Sequence, residues 1–115
     1  MQPQSRQPYR YLHQVFFRLA DRTPETSDTF TRLCRELLSR HPGLEQFTLG
    51  FRDVEMQRSV NDQQFDLSMT MIFDSIESYN LYRQHEDHHR WITLAGSMSV
   101  GRRVYDCYLL PDPIN

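Results

Sequence analysis

Residues Phe65-Asp66-Leu67-Ser68-Met69-Thr70-Met71-Ile72-Phe73-Asp74-Ser75-Ile76-Glu77 decide the fold. Phe65, Leu67, Met69, Met71 and Phe73 are uniformly apolar while Asp66, Ser68 and Thr70 are not, which is the period of a strand with one face on a core. Asp74 stands three residues before Glu77 in the manner of a capping box, and Ile76, Tyr79 and Tyr82 then take up helical spacing. The period switches from that of a strand to that of a helix within a few residues.

The same two periods recur on either side. Upstream, Tyr11, His13, Val15, Phe17 and Leu19 alternate with Leu12, Gln14, Phe16 and Arg18, a strand with both faces partly apolar. Thr23-Pro24-Glu25 supplies a capping residue and a proline at the first helical position. Phe30, Leu33, Cys34, Leu37 and Leu38 continue as an amphipathic helix that ends at His41-Pro42-Gly43. A strand over 45–51 sets Phe47, Leu49 and Phe51 against Gln46, Thr48 and Gly50, and a polar connection runs over 52–64. Downstream, Trp91, Ile92 and Leu94 extend the second helical stretch to Gly96. A last strand over 100–110 follows, stopped by Pro111 and Pro113.

The order strand, helix, strand, strand, helix, strand predicts an α+β, ferredoxin-like βαββαβ fold: a four-stranded antiparallel sheet with its helices on one face. Leu12, Phe16 and Ile72, beside Gln14, Ser68 and Thr70, then point to the uncovered face. Two such faces stacked in a twofold homodimer would hide them and form a barrel. The domain is expected over 10–110, with a flexible arm over 1–9 and a tail over 111–115.

Composition narrows the function classes. The 115 residues suffice for one domain, and with 38% hydrophobic residues much of the burial falls to seven Phe, six Tyr and one Trp. All thirteen basic residues are Arg, which excludes Schiff-base lysine chemistry and a P-loop lysine. A net charge of −2 with both signs scattered argues against a nucleic-acid or anionic-membrane partner. No apolar run approaches the ~20 residues of a membrane span, and Met1-Gln2-Pro3-Gln4-Ser5 does not read as a secretory segment, so a cytoplasmic location is expected. Cys34 and Cys107 fit no CxxC spacing and are expected as reduced core thiols.

Chemistry concentrates in Tyr82-Arg83-Gln84-His85-Glu86-Asp87-His88-His89. A neutral imidazole can take a proton from carbon beside a carbonyl while a phenol holds the oxygen, and Tyr82 and His88 are the candidates for that pair. On a straight helix six residues put them on different faces, so they meet only if the helix bends or breaks near residues 85–87. The plainer reading makes Tyr82 a core aromatic and His88 a structural histidine. His85 to His89 also satisfies HExxH, but no Glu lies downstream of Glu86 as a third ligand, and no metal or other cofactor is expected.

Trp91, three residues after His88, shares its helical face. Val15, Phe17, Phe30, Cys34, Phe47, Leu67 and Met69 are candidates for an apolar lining and are equally explained as core. Arg102 alternates with Val100 and Val104. In one register its guanidinium faces a ligand carboxylate or enolate, and in the other it faces solvent or the dimer seam.

From Leu12 to Tyr108 the chain resembles the dimeric alpha/beta barrel (Dabb), or stress-responsive barrel, family. The resemblance rests on His13 within Leu12-His13-Gln14-Val15-Phe16-Phe17, the Pro42-Gly43 turn, Phe65-Asp66 leading to Phe73-Asp74-Ser75, the segment from Tyr82 to His88, and Val104-Tyr105-Asp106. It implies a small homodimer with a small-molecule pocket between the sheet and the helices of each subunit, and it places His13 on the pocket wall. A plant cyclase of the family closes a linear polyketide by aldol condensation, and its catalytic Tyr and His resemble Tyr82 and His88. This chain departs from it at Leu67, where the cyclase has a pocket His, at Glu86, where it has Pro, and at Arg102, where its wall is apolar. The expected activity is aldol-type cyclisation or isomerisation of a carbonyl compound. The alternatives are a non-catalytic ligand-binding or stress-responsive domain, and a cofactor-free monooxygenase of the wider superfamily.

Overall fold

A computed structural model of the chain describes residues 9–111. The expected arm and tail therefore lie, Tyr9 and Pro111 apart, outside the described residues. The elements are β1 (Tyr11–Leu19), α1 (Pro24–Leu38), β2 (Leu44–Phe51), β3 (Leu67–Phe73), α2 (Ile76–Gln84), α3 (Glu86–Ala95), a short 3-10 turn (Gly96–Met98) and β4 (Ser99–Tyr108). The strands pair antiparallel in the order β2-β3-β1-β4. This is the ferredoxin-like α+β arrangement, with the second expected helix divided into α2 and α3.

Alternation in β1 and β3 sets the two faces of the sheet. Val15 pairs with Met69 and with Val104, and Phe17 with Leu67 and with Arg102, so these side chains share the inward face. All three helices pack there. Phe17 meets Phe30 of α1 at 4.9 Å and Trp91 of α3 at 5.8 Å between ring centroids, while Phe73 meets Tyr79 and Tyr82 of α2 at 5.5 and 5.4 Å. Phe17, Phe30, Phe73, Leu38, Met69, Met71 and Cys34 are the fully buried centre of this core. Truncating one of its aromatics to Ala costs about 3–5 kcal/mol.

The helix starts follow from short-range chemistry. Thr23, in extended backbone, accepts the N–H of Thr26 on its hydroxyl, with Pro24 next. At α2 the cap is Ser75 rather than Asp74, because Ser75 is the extended residue and its Oγ accepts from the Ser78 N–H. The Asp74 carboxylate instead accepts from the hydroxyls of Ser75 and Ser78. Gly43 has φ +83°, and its carbonyl accepts from the Asp74 N–H, tying the turn after α1 to the end of β3.

Two further expectations need correction. Phe65 precedes the paired part of β3 and turns to the open face, where its ring lies 4.9 Å from that of Phe16. Cys107 is exposed on the open face of β4, so of the two thiols only Cys34 is a core residue. Leu12, Phe16 and Ile72 are half-buried on that open face, as the alternation required.

Candidate active site

A break in the chain makes the site. α2 ends at Gln84, His85 adopts extended backbone (φ −71°, ψ 146°), and α3 begins at Glu86. His85 closes one helix and opens the next: its N–H donates to the Tyr82 carbonyl, and its Nδ1 accepts the Asp87 N–H at 3.0 Å. The change of direction brings the rings of Tyr82 and His88 to 4.9 Å between centroids at 74°, which a continuous helix would forbid. It also takes His85 off the helix that carries His89, so the HExxH spacing no longer corresponds to two imidazoles on one helical face. Among the described residues no group of three or more His, Cys, Asp or Glu is placed to hold a metal ion.

Tyr82 and His88 line a cavity of ≈ 210 Å³ between the β1–β4 side of the sheet and helices α2 and α3. From the sheet come His13, Val15, Phe17, Met69, Arg102 and Val104. From the helices come Tyr79, Arg83 and Trp91 beside the pair itself. The volume is below the ~300–1,000 Å³ of drug-sized sites, so it suits a small ligand. Arg102 takes the inward register left open by the sequence.

Phe30, Cys34, Phe47 and Leu67 lie outside this lining. Phe30 and Cys34 belong to α1, behind Trp91, and Leu67 is buried between its partners Phe17 and Phe51. Phe47 sits on β2, the opposite edge of the sheet from β4. Three residues that build the site were missed from the sequence: Tyr79, Arg83 and Asp106. Tyr79 and Arg83 are the helical neighbours of Tyr82, a stripe that i, i+3 and i+4 spacing could have found. Asp106 continues the inward alternation of Arg102 and Val104, and an acid on such a face calls for a partner. That partner is His13, whose Nδ1 lies 2.6 Å from Oδ1 of Asp106.

Burial dominates the electrostatics. Tyr82 is 2% exposed, and burial holds its phenol well above the usual range, so it stays protonated as a donor. Tyr79 is pushed up to about 12 by burial and by Asp106. Burial, with His89, His13, His41 and Arg83 nearby, pushes the His88 imidazole down to about 4. At neutral pH His88 is thus an uncharged ring. Its Nδ1 is buried and has no hydrogen-bond partner among the described residues, a deficit that ligands and ordered waters commonly fill. Burial also pushes the Cys34 thiol up to about 12, which makes it inert packing.

These features define a class: a ferredoxin-like α+β domain with a partly polar cavity between sheet and helices. The chain belongs to the Stress responsive A/B Barrel Domain (Dabb) family, whose model matches residues 12–109. No curated protein matches it. Among solved structures it is similar to a Dabb family protein with a ferredoxin-like fold from Mesorhizobium loti, at 17% identity, covering 90% of this chain and 99% of that one with a TM-score of 0.74. It is similar to a dimeric ferredoxin-like protein of unknown function from Thermobifida fusca, at 18% identity, 95% and 99% coverage and a TM-score of 0.73. It is also similar to a hydroxynitrile lyase from Passiflora edulis, at 14% identity, 93% and 99% coverage and a TM-score of 0.73. At such identities the likeness is one of fold. No helix among the described residues is long and apolar enough to cross a membrane.

Proposed function

We propose that this protein is a small homodimeric enzyme that binds a carbonyl compound in the cavity and catalyses its aldol-type cyclisation or isomerisation with side chains alone. The supporting observation is the meeting of Tyr82 and His88 on one cavity wall, with a protonated phenol beside an uncharged imidazole. The proton on the carbon next to the carbonyl passes to His88, and the bonding pair becomes an enolate whose charge rests on the oxygen that Tyr82 holds. In a cyclisation the enolate carbon forms a bond to a second carbonyl of the same molecule, and the resulting alkoxide takes the proton back from His88. In an isomerisation the proton returns to a different carbon. A ring that gains a proton only near pH 4 is a weak base, but the adjacent enolate charge favours its protonated form, and it then gives the proton back readily.

The open faces of two subunits, through Leu12, Phe16 and Ile72, would stack in the dimer. A reducing, cytoplasmic setting agrees with the two unpaired cysteines. The test is hydrogen–deuterium exchange beside the carbonyl across a panel of aromatic and polyketide-like ketones, followed by NMR. Exchange accelerated by the protein and lost in both His88→Ala and Tyr82→Phe is expected, whereas full exchange in His88→Ala sinks the proposed base. A non-catalytic ligand-binding role is the reading that would then remain.

A further inference from the structure

Charge on the cavity wall is one-sided. Two guanidiniums, Arg83 and Arg102, border it, and no Asp or Glu does. The nearby acid, Asp106, is engaged with His13 at 2.6 Å. Arg102 pairs with Phe17 across the β1–β4 ladder, so it stands on the inward face, between Val100 and Val104 in sequence. Among the described residues it has no ion pair and no side-chain hydrogen bond, unlike its neighbour Arg103, which is bound to Asp62. Arg83 lies with its guanidinium 5.8 Å from the Tyr79 ring centroid and makes only a long 3.5 Å contact with Asn80.

We propose that the ligand of this cavity carries a carboxylate as well as a carbonyl, and that Arg102 and Arg83 hold the carboxylate at the rim while the carbonyl reaches Tyr82 and His88. This deepens the reading of the cavity as a carbonyl site and rests on it. The orientation follows from burial: Tyr82 is almost wholly buried, whereas both arginines are exposed. A planar carboxylate matches the forked donors of a guanidinium. Phosphate sites typically add the free N–H groups of a helix start, but here the first N–H groups of α3 are occupied, that of Asp87 by His85 Nδ1 and that of His88 by the His85 carbonyl. Burial first, and the neighbouring basic groups after it, keep His88 from accepting a proton, and a bound carboxylate would offset the second of these.

The experiment compares matched acids and amides, acetoacetate with acetoacetamide and benzoate with benzamide, titrated into the full chain with NMR of the His88 and His13 rings as the readout. For at least one pair, the acid is expected to bind about tenfold or more tighter, with the preference lost in Arg102→Gln and reduced in Arg83→Gln. Circular dichroism checks that both variants fold, and the wild-type preference should weaken with salt. Equal affinity for acid and amide overturns the carboxylate while leaving the carbonyl site standing. Inorganic phosphate displacing acetoacetate at equal concentration also overturns it. If neither member of either pair binds, the proposal falls together with the cavity as a ligand site.

Discussion

Nδ1 of His13 on β1 lies 2.6 Å from Oδ1 of Asp106 on β4, the residue directly opposite it in the sheet. The contact ties the cavity wall to an edge strand that is otherwise largely exposed. A carboxylate facing Nδ1 makes that nitrogen the donor and leaves Nε2 as the acceptor. Removing Asp106 leaves a buried imidazole nitrogen unpaired. Asp106→Ala is therefore expected to cost about 1–3 kcal/mol in urea unfolding, and Asp106→Asn less. An unchanged unfolding midpoint in Asp106→Ala, with the His13 ring nitrogen signals unmoved, would mean that the contact does not order the ring.

Gly43 predicts a second effect at a distance from the cavity. At φ +83° a side chain is strained, and a Cβ there would stand 2.2 Å from Oγ and 2.5 Å from Cβ of Ser78 in the first turn of α2. Gly43→Ala must push back the helix that carries Tyr79 and Tyr82. The backbone alone costs about 1–2 kcal/mol, and the clash adds to it. Calorimetry should show a lower melting temperature together with altered NMR shifts at Tyr82. A melting temperature equal to wild type would contradict the geometry.

His85 tests whether the helix break is what creates the pair. Leu at this position loses the cap on the Asp87 N–H, which costs about 1 kcal/mol, and it favours running α2 into α3. His85→Leu should therefore separate Tyr82 from His88, seen as loss of nuclear Overhauser contacts between their rings. His85→Asp, which restores an acceptor for the Asp87 N–H, should keep them. If the contacts persist in His85→Leu, packing rather than the cap holds the break.

The open sheet face carries a prediction about assembly. Phe16 is half-buried between Phe65 and Tyr105, with ring centroids at 4.9 and 5.9 Å. For the proposed dimer, Phe16→Arg should shift sedimentation from dimer to monomer while leaving the circular dichroism of the chain intact. A wild-type chain that sediments as a monomer at micromolar concentration would remove the stacked dimer.

How much of this was legible in the sequence depends on the range of the interactions. Strand periods over 11–19 and 65–73 and the Thr23-Pro24 start are local, and these elements formed where their patterns lay, except that β3 begins at Leu67 rather than at Phe65. The need for a break near residues 85–87 was also local, because helix geometry alone sets Tyr82 and His88 apart. The pairing of His13 with Asp106 was not, since it depends on which strands become neighbours. Nor was the lining: Phe30, Cys34, Phe47 and Leu67 have the same pattern as Val15, Phe17 and Met69. Only the sheet order decides which apolar side chains face the empty volume and which fill the core. Phe65 was misplaced because alternation does not record where pairing begins.

The depressed basicity of His88 makes acid a selective destabiliser. Its imidazole is held near 4 in the folded chain against the usual 6.5, by burial and by His89, His13, His41 and Arg83 around it. Between those values the unfolded chain binds a proton that the folded chain refuses, so stability falls as pH drops through this window and is fully retained above it. For a half-buried ring the loss between about pH 7 and about pH 5 should be roughly 1–2 kcal/mol. His41, also lowered by burial, adds a loss of the same sign. Replacing His88 with Gln removes one of the two contributions, so urea unfolding at the two pH values should show a smaller loss for His88→Gln than for wild type. An equal loss in both proteins would mean that His88 titrates in the folded chain as it does in the unfolded one, and the uncharged imidazole required beside Tyr82 would then be absent below neutral pH.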